Sequence, residues 1–206
     1  MIAKDYLTQQ MTEAEYLATE PYSECKREYI DGYVYAMAGA KVSHNLIVGN
    51  VHGELRNYLK GKPCRPYMSD IRVKTGKNYY YPDVLVDCSD LDGNSTYSTS
   101  PVLIVEVLSK STRRMDEVTK RAAYKQIISL EEYVLVEQDI AEVEVIRRAT
   151  GWQSEKYLLG DSFYLKSVDF TLSVEAVYER VNNEDIQEWL AKKALEAAEN
   201  RLQPPS

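Results

Sequence analysis

Two acids in apolar surroundings raise the question of chemistry. Asp83 sits in the strand-like run Tyr81-Pro82-Asp83-Val84-Leu85-Val86, and Glu106 lies near the end of Val102-Leu103-Ile104-Val105-Glu106-Val107-Leu108. A lone ionised carboxylate is costly to bury, so each acid needs a cation or hydrogen-bond donors. The two stand 23 positions apart, and neighbouring strands would let one cation serve both. Carboxylate oxygens are hard ligands suited to Mg²⁺ or Mn²⁺. Mg²⁺ typically takes one or two carboxylates, keeps several waters, and uses substrate phosphate oxygens for the rest. Such an ion activates water and neutralises charge on a phosphodiester during in-line displacement. Asp87 shares a strand face with Asp83 by period-two alternation and, being nearer the strand end, is expected to be solvated. The competing reading makes Asp83 an exposed turn residue and gives Glu106 a structural ion-pair partner.

Further groups could join them. Asp116, Lys120 and Tyr124 are spaced i, i+4 and i+8 and share one flank of a helix. A neighbouring stripe of Met115, Val118, Ala122 and Ile127 is expected to pack on the sheet, leaving Lys120 at the border of the buried face. Its flexible stem can then reach toward Glu106. The plain alternative is an Asp116–Lys120 surface pair worth roughly 0.3–0.5 kcal/mol. His44 falls on an inward helical stripe, where a histidine serves either as a hydrogen-bonded core residue or in catalysis. Glu28 reads as a cross-strand partner of a basic side chain, and Asp70 as a supporting acid or a turn-end hydrogen-bonder. There is no Walker-type loop, G-x-G-x-x-G, G-x-S-x-G or H-E-x-x-H.

The elements that must position these residues follow from local pattern. Thr12 caps a helix, with Glu15 closing a capping box and Met11 stapling onto Tyr16. Residues 28–37 read as a hairpin about Asp31-Gly32. Val42 to Lys60 reads as a helix with the stripe Val48, Val51, Leu55, Tyr58, ended by Gly61. Two strands, 67–74 and 79–87, join at Gly76, and 89–100 is a polar loop. The 102–108 run is a central strand covered on both faces. A helix follows to about residue 128. Strands are expected at 132–137, 142–148 and 152–158, and a short helix at 174–180. A final helix capped by Asn183 carries the stripe Ile186, Trp189, Leu190, Ala194, Ala197. This order implies an α+β arrangement, a mixed sheet flanked by helices.

The 206 residues fit one domain, 1–181, with 182–206 as a C-terminal helix and tail. A net charge of −7 does not itself predict a nucleic-acid binder. Charge is uneven, however: 60–77 carries net +5, 110–125 net +4 and 175–199 net −4. A locally positive face is therefore possible, the alternative being ordinary solvated surface. Cys25, Cys64 and Cys88 are odd in number and widely spaced, indicating neither a disulfide framework nor a zinc site. No apolar run is long enough to span a membrane and residues 1–5 open no secretory signal, so a cytoplasmic location is expected.

Pro82-Asp83 followed by Glu106-Val107-Leu108 resembles the PD-(D/E)XK motif of restriction-endonuclease-like nucleases. The wider set extends the likeness: Glu28-Tyr29-Ile30-Asp31-Gly32, Ser43-His44-Asn45, Glu106-Val107-Leu108-Ser109-Lys110-Ser111-Thr112, then Asp116, Lys120 and Tyr124. It resembles a restriction-endonuclease family of that superfamily over about residues 11–180. The bare acid pair is weakly specific, whereas the Glu106–Thr112 run with its Asp-x-x-x-Lys-x-x-x-Tyr continuation is specific. The resemblance implies the restriction-endonuclease-like fold, with an N-terminal β-hairpin and a C-terminal helix, and a homodimer that hydrolyses DNA phosphodiesters with Mg²⁺ or Mn²⁺. It implies Asp83 and Glu106 as metal ligands and Glu28, His44, Asp116 and Tyr124 as supporting residues. The motif's lysine position is held by Leu108, and the resemblance implies that Lys120 replaces it in catalysis. The basic segments would face the DNA backbone. The vacant lysine position and acidic average charge leave open an inactive binding or assembly module. A hydrolase of smaller phosphate esters, with an enclosed pocket, is a third reading.

Overall fold

The computed structural model describes residues 9–110 and 112–202, with side chains to Glu196. Ser111, residues 1–5 and the Ala197 side chain, all used above, lie outside the described residues. The strands are β1 (Gln9–Gln10), β2 (Arg27–Ile30), β3 (Tyr33–Ala36), β4 (Arg65–Met68), β5 (Arg72–Thr75), β6 (Asn78–Tyr80) and β7 (Val84–Asp87). Then come β8 (Tyr97–Ser98), β9 (Pro101–Leu108), β10 (Glu132–Glu137), β11 (Glu142–Arg147), β12 (Gln153–Leu158), β13 (Ser162–Leu165) and β14 (Phe170–Ser173). The helices are α1 (Glu13–Thr19), α2 (Val42–Tyr58), α3 (Arg121–Tyr124), α4 (Val174–Val177) and α5 (Glu184–Leu202). A π-helical segment, Met115–Lys120, leads into α3.

One mixed sheet runs β12-β11-β10-β9-β7-β4, and a second runs β1-β3-β2-β6-β5-β8. The parallel β9–β10 pair is bridged by the 115–124 helical segment, as a crossover requires. β9 is apolar along nearly its whole length because both faces are covered. Leu103, Val105 and Val107 join the core that includes Ile47, Val51 and Leu55 of α2. Ile104 and Leu108 face the other way, onto Tyr124, Leu130 and Tyr133. By strand alternation Glu106 points to that second side, toward the helical segment.

The capping box about Thr12 and the hairpin about Asp31-Gly32 are present as expected. Asp31 and Gly32 adopt φ of 51° and 86°. A Cβ on Gly32 would meet no atom within 4 Å, so Gly32→Ala tests backbone strain alone. We expect it to cost about 1–2 kcal/mol in urea unfolding. An unchanged midpoint would contradict that conformation.

Several expectations are corrected. The two strands expected over 67–87 are four, because the chain leaves the large sheet after β4, forms β5 and β6 in the second sheet, and returns as β7. Ser69, with φ of 57°, lies in the first break, and Tyr81-Pro82-Asp83 forms the second. The 89–100 loop contains β8, paired in parallel with β5. The β13–β14 hairpin falls in a stretch given no strands. Asp87 is buried, not solvated, because that loop folds back to donate the Ser89 N–H and the Ser89 and Ser98 hydroxyls. Cys64 and Cys88 form a disulfide. The register that pairs Arg65 with Asp87 brings the next residues outward face to face, a juxtaposition invisible in their spacing. Asn183 caps α5 through the Ile186 N–H; on its apolar stripe Ile186 packs against the core, while Leu190 and Ala194 are exposed. No helix among the described residues is long and apolar enough to cross a membrane.

Candidate active site

Antiparallel pairing of β7 with β9 sets Val84 opposite Val105, so continuing the register places position 83 opposite position 106. The strand stops there because Pro82 has no N–H to continue the ladder. The Asp83 carboxylate takes over, accepting from the Val107 N–H at 2.7 Å through Oδ2. His44, in the first turns of α2, sets Nε2 3.3 Å from the same oxygen. Burial pulls the His44 pKa down, but its hydrogen bond to Asp83 and that acid's charge outweigh burial and hold it above the ordinary value.

Lys120 enters from the helical segment. Positions four apart drift by roughly 40° per step on an α-helix of 3.6 residues per turn, and the wider π turn takes up the extra residue. Asp116, Lys120 and Tyr124 thereby form the buried stripe, while Val118 and Ala122 are exposed. Of the expected packing stripe, Ile127 and Met115 do pack on the core while Val118 and Ala122 do not, and Lys120 goes fully inside rather than to the border. The polar residues turn inward because Glu106 and Glu28 wait there as partners. Lys120 Nζ lies 3.0 Å from Glu28 Oε1, 3.1 Å from Glu106 Oε1 and 3.2 Å from Asp116 Oδ1. The Glu106 contact is aligned as a hydrogen bond, and Tyr124 donates its hydroxyl to the same oxygen at 3.0 Å. Glu28 also accepts from the Tyr81 N–H at 2.9 Å. Tyr133 holds the segment by donating to the Asp116 carbonyl.

This cluster is short of positive charge. Glu28, Glu106 and Asp116 are 6, 2 and 2% exposed, and Lys120 is 4% exposed. Burial pushes the Glu106 carboxyl well up; Lys120 opposes this, while Asp116, Asp83 and Glu28 reinforce it. Burial likewise raises Asp116 against the pull of Lys120. For Lys120, burial favours loss of the proton, but Glu106 and Glu28 outweigh it and keep the ammonium charged. Asp116 Oδ1 is buried without an aligned hydrogen bond.

These residues line a cavity of about 640 Å³. Among the described residues, no group of three or more His, Cys, Asp or Glu side chains forms a ready cation cage. The donor set nevertheless suits Mg²⁺ or Mn²⁺, which need only one or two carboxylates, and a surplus of acids over the one lysine favours added positive charge.

The expected residues Glu28, His44, Asp83, Glu106, Asp116, Lys120 and Tyr124 therefore gather at one place. Asp70 does not: it is exposed and pairs with Lys26 at 2.7 Å. The basic segments do not form one face either. Arg72 is buried against Tyr16 and Tyr79, Lys74 pairs with Glu13, and Lys120 is interior. Sequence reasoning missed Tyr35, which the hairpin register sets opposite Glu28 at the cavity wall. That register was readable from Asp31-Gly32. The Val107 N–H was missed as well, and a backbone donor leaves no mark in sequence.

A family model described as "Putative restriction endonuclease" (Uma2) matches residues 13–175. The chain belongs to the Uma2 family. Its relatives include two uncharacterised proteins of Synechocystis. One is 34% identical over 169 residues, covering 80% of this chain and 89% of its own. The other is 34% identical over 142 residues, covering 66% and 80%. A crystal structure of a putative nuclease from Anabaena variabilis shares the fold with a TM-score of 0.69 at 20% identity, covering 84% of this chain and 99% of that one. Membership of the Uma2 family makes the chain a restriction-endonuclease-like protein, related by its family to nucleases.

Proposed function

We propose that the protein is a metal-dependent endonuclease that hydrolyses DNA phosphodiesters. The observation that carries this reading is the convergence of Asp83, Glu106 and Lys120 on one cavity. Asp83 and Glu106 would hold Mg²⁺ or Mn²⁺, which when bound polarises the phosphoryl group and makes water a stronger nucleophile. The Val107 N–H orients the Asp83 carboxylate, and Tyr124 orients that of Glu106. Lys120 supplies the positive charge of the floor and lies beside Glu106, where it can stabilise charge developing on the phosphate. An ammonium has three protons, and three carboxylates surround this one. Donation to substrate therefore requires one contact to open, and opening the one to Glu28 leaves that carboxylate still accepting from the Tyr81 N–H.

Chelation with EDTA should stop cleavage of plasmid and single-stranded DNA, and Mn²⁺ or Mg²⁺ should restore it. Cleavage unaffected by chelation would remove the metal-dependent reading. The recessed floor, with Glu106, Asp116 and Lys120 buried, favours a second reading, hydrolysis of smaller phosphate esters. Turnover of bis-p-nitrophenyl phosphate without cleavage of any nucleic acid would select it.

A further inference from the structure

We infer that the cavity receives a single nucleic-acid strand, with an unstacked base against the wall around Tyr35 and Met37 and flanking phosphates on lysines at the mouth. This rests on the phosphodiester reading and names the form of substrate that the same site takes. The first ground is depth. Glu28, Glu106, Asp116 and Lys120 are each more than nine-tenths buried, so the scissile phosphate must come down to them. A duplex presents its phosphates along a broad, stacked ridge, whereas a flexible single strand can turn one phosphate together with its unstacked base into a narrow recess.

The second ground is size. About 640 Å³ lies within the ~300–1,000 Å³ that encloses a drug-sized molecule, the scale of one or two nucleotides. The third is the wall. Tyr35, Met37, Pro82 and Met115 line it with aromatic and apolar surface beside the acids. Tyr35 is only half-buried and, among the described residues, no hydrogen bond fixes its hydroxyl. Such surfaces receive bases of any sequence, because every base has a π-face. The fourth is charge. Lys26, Lys41 and Lys110 also line the cavity, so a basic margin meets an acidic floor. Lys41 and Lys110 are exposed; Lys26 pairs with Asp70 and donates to the Ser69 carbonyl. The basic margin suits the flanking phosphates of a strand that crosses the mouth.

The test is fluorescence anisotropy with metal-free wild-type protein in EDTA. The probes are a labelled 12-nucleotide DNA strand, the RNA of the same sequence, and the DNA duplex. Either single strand should bind at least tenfold tighter than duplex, and the DNA and RNA arms identify which chemistry is preferred. Met37→Asp should weaken single-strand binding about tenfold, and Lys110→Ala should reduce the salt slope by about 0.7. Tyr35→Phe, which keeps the ring, should bind normally. Tighter binding of duplex, no binding of any form, or single-strand affinity unchanged by Met37→Asp would overturn the proposal. A parallel Mn²⁺ cleavage assay separates the two readings. Preferential duplex cleavage would overturn the single-strand site and leave hydrolysis standing. Met37-dependent strand binding without cleavage would remove hydrolysis and leave the strand site.

Discussion

Lys120→Met should lower strand cleavage by about 10²–10³-fold, the loss typical when one preorganised donor to developing charge is removed. It should also destabilise the protein by roughly 3–5 kcal/mol, the cost of breaking a buried ion pair from one side. The methionine keeps most of the stem volume, so lost packing adds little. What remains is Glu28, Glu106 and Asp116, buried and without the ammonium that lies 3.0–3.2 Å from each. Tyr124 still donates to Glu106 and the Tyr81 N–H to Glu28, which places the cost toward the lower end. Urea unfolding and single-turnover cleavage measure the two effects separately. A surface Asp116–Lys120 pair would give less than ~1 kcal/mol and no loss of rate, and that outcome would contradict the role assigned to Lys120.

Asp83→Asn should separate chemistry from folding. The amide oxygen can still accept from the Val107 N–H, the 2.7 Å bond that fixes this side chain. Stability should therefore fall by no more than about 1–3 kcal/mol, the worth of the charge-assisted contact with His44 that is weakened while the Val107 bond persists. The negative charge is lost, and with it one of the two ligands proposed for the cation. A metal ion contributes several kcal/mol of transition-state stabilisation, so cleavage should fall by about a thousandfold or more. Cleavage within tenfold of wild type, with an unchanged unfolding midpoint, would remove Asp83 from the metal site.

The fold was legible wherever local pattern and tertiary need agree. Asp31-Gly32 specifies its hairpin, Thr12 and Glu15 specify the start of α1, and the 102–108 run reads as a doubly covered strand because β9 is one. The 67–87 stretch was misread because β propensity does not say to which sheet a strand belongs. The hairpin at 162–173 is a two-stranded appendage with short, weakly patterned strands. At the site, the acids stand out by type, but the apolar stripe of the helix predicts only part of its buried face: Met115 and Ile127 pack inward, Val118 and Ala122 do not. Apolar patterning fails where partners already sit in the core: with Glu28 and Glu106 buried, the face carrying Asp116, Lys120 and Tyr124 turns inward. Position 108 illustrates the same competition. Leu108 is committed to the core with Ile104 and Tyr124, so no strand lysine is available there and the ammonium comes from the neighbouring helix.

The central claim is that Asp83 and Glu106 jointly hold one divalent cation. Mn²⁺ titration followed by electron paramagnetic resonance measures this without any substrate. Wild-type protein should bind one equivalent, and Asp83→Asn and Glu106→Gln should each lose it at the same Mn²⁺ concentration. No binding to wild type up to millimolar Mn²⁺, or undiminished binding in both variants, would contradict the claim.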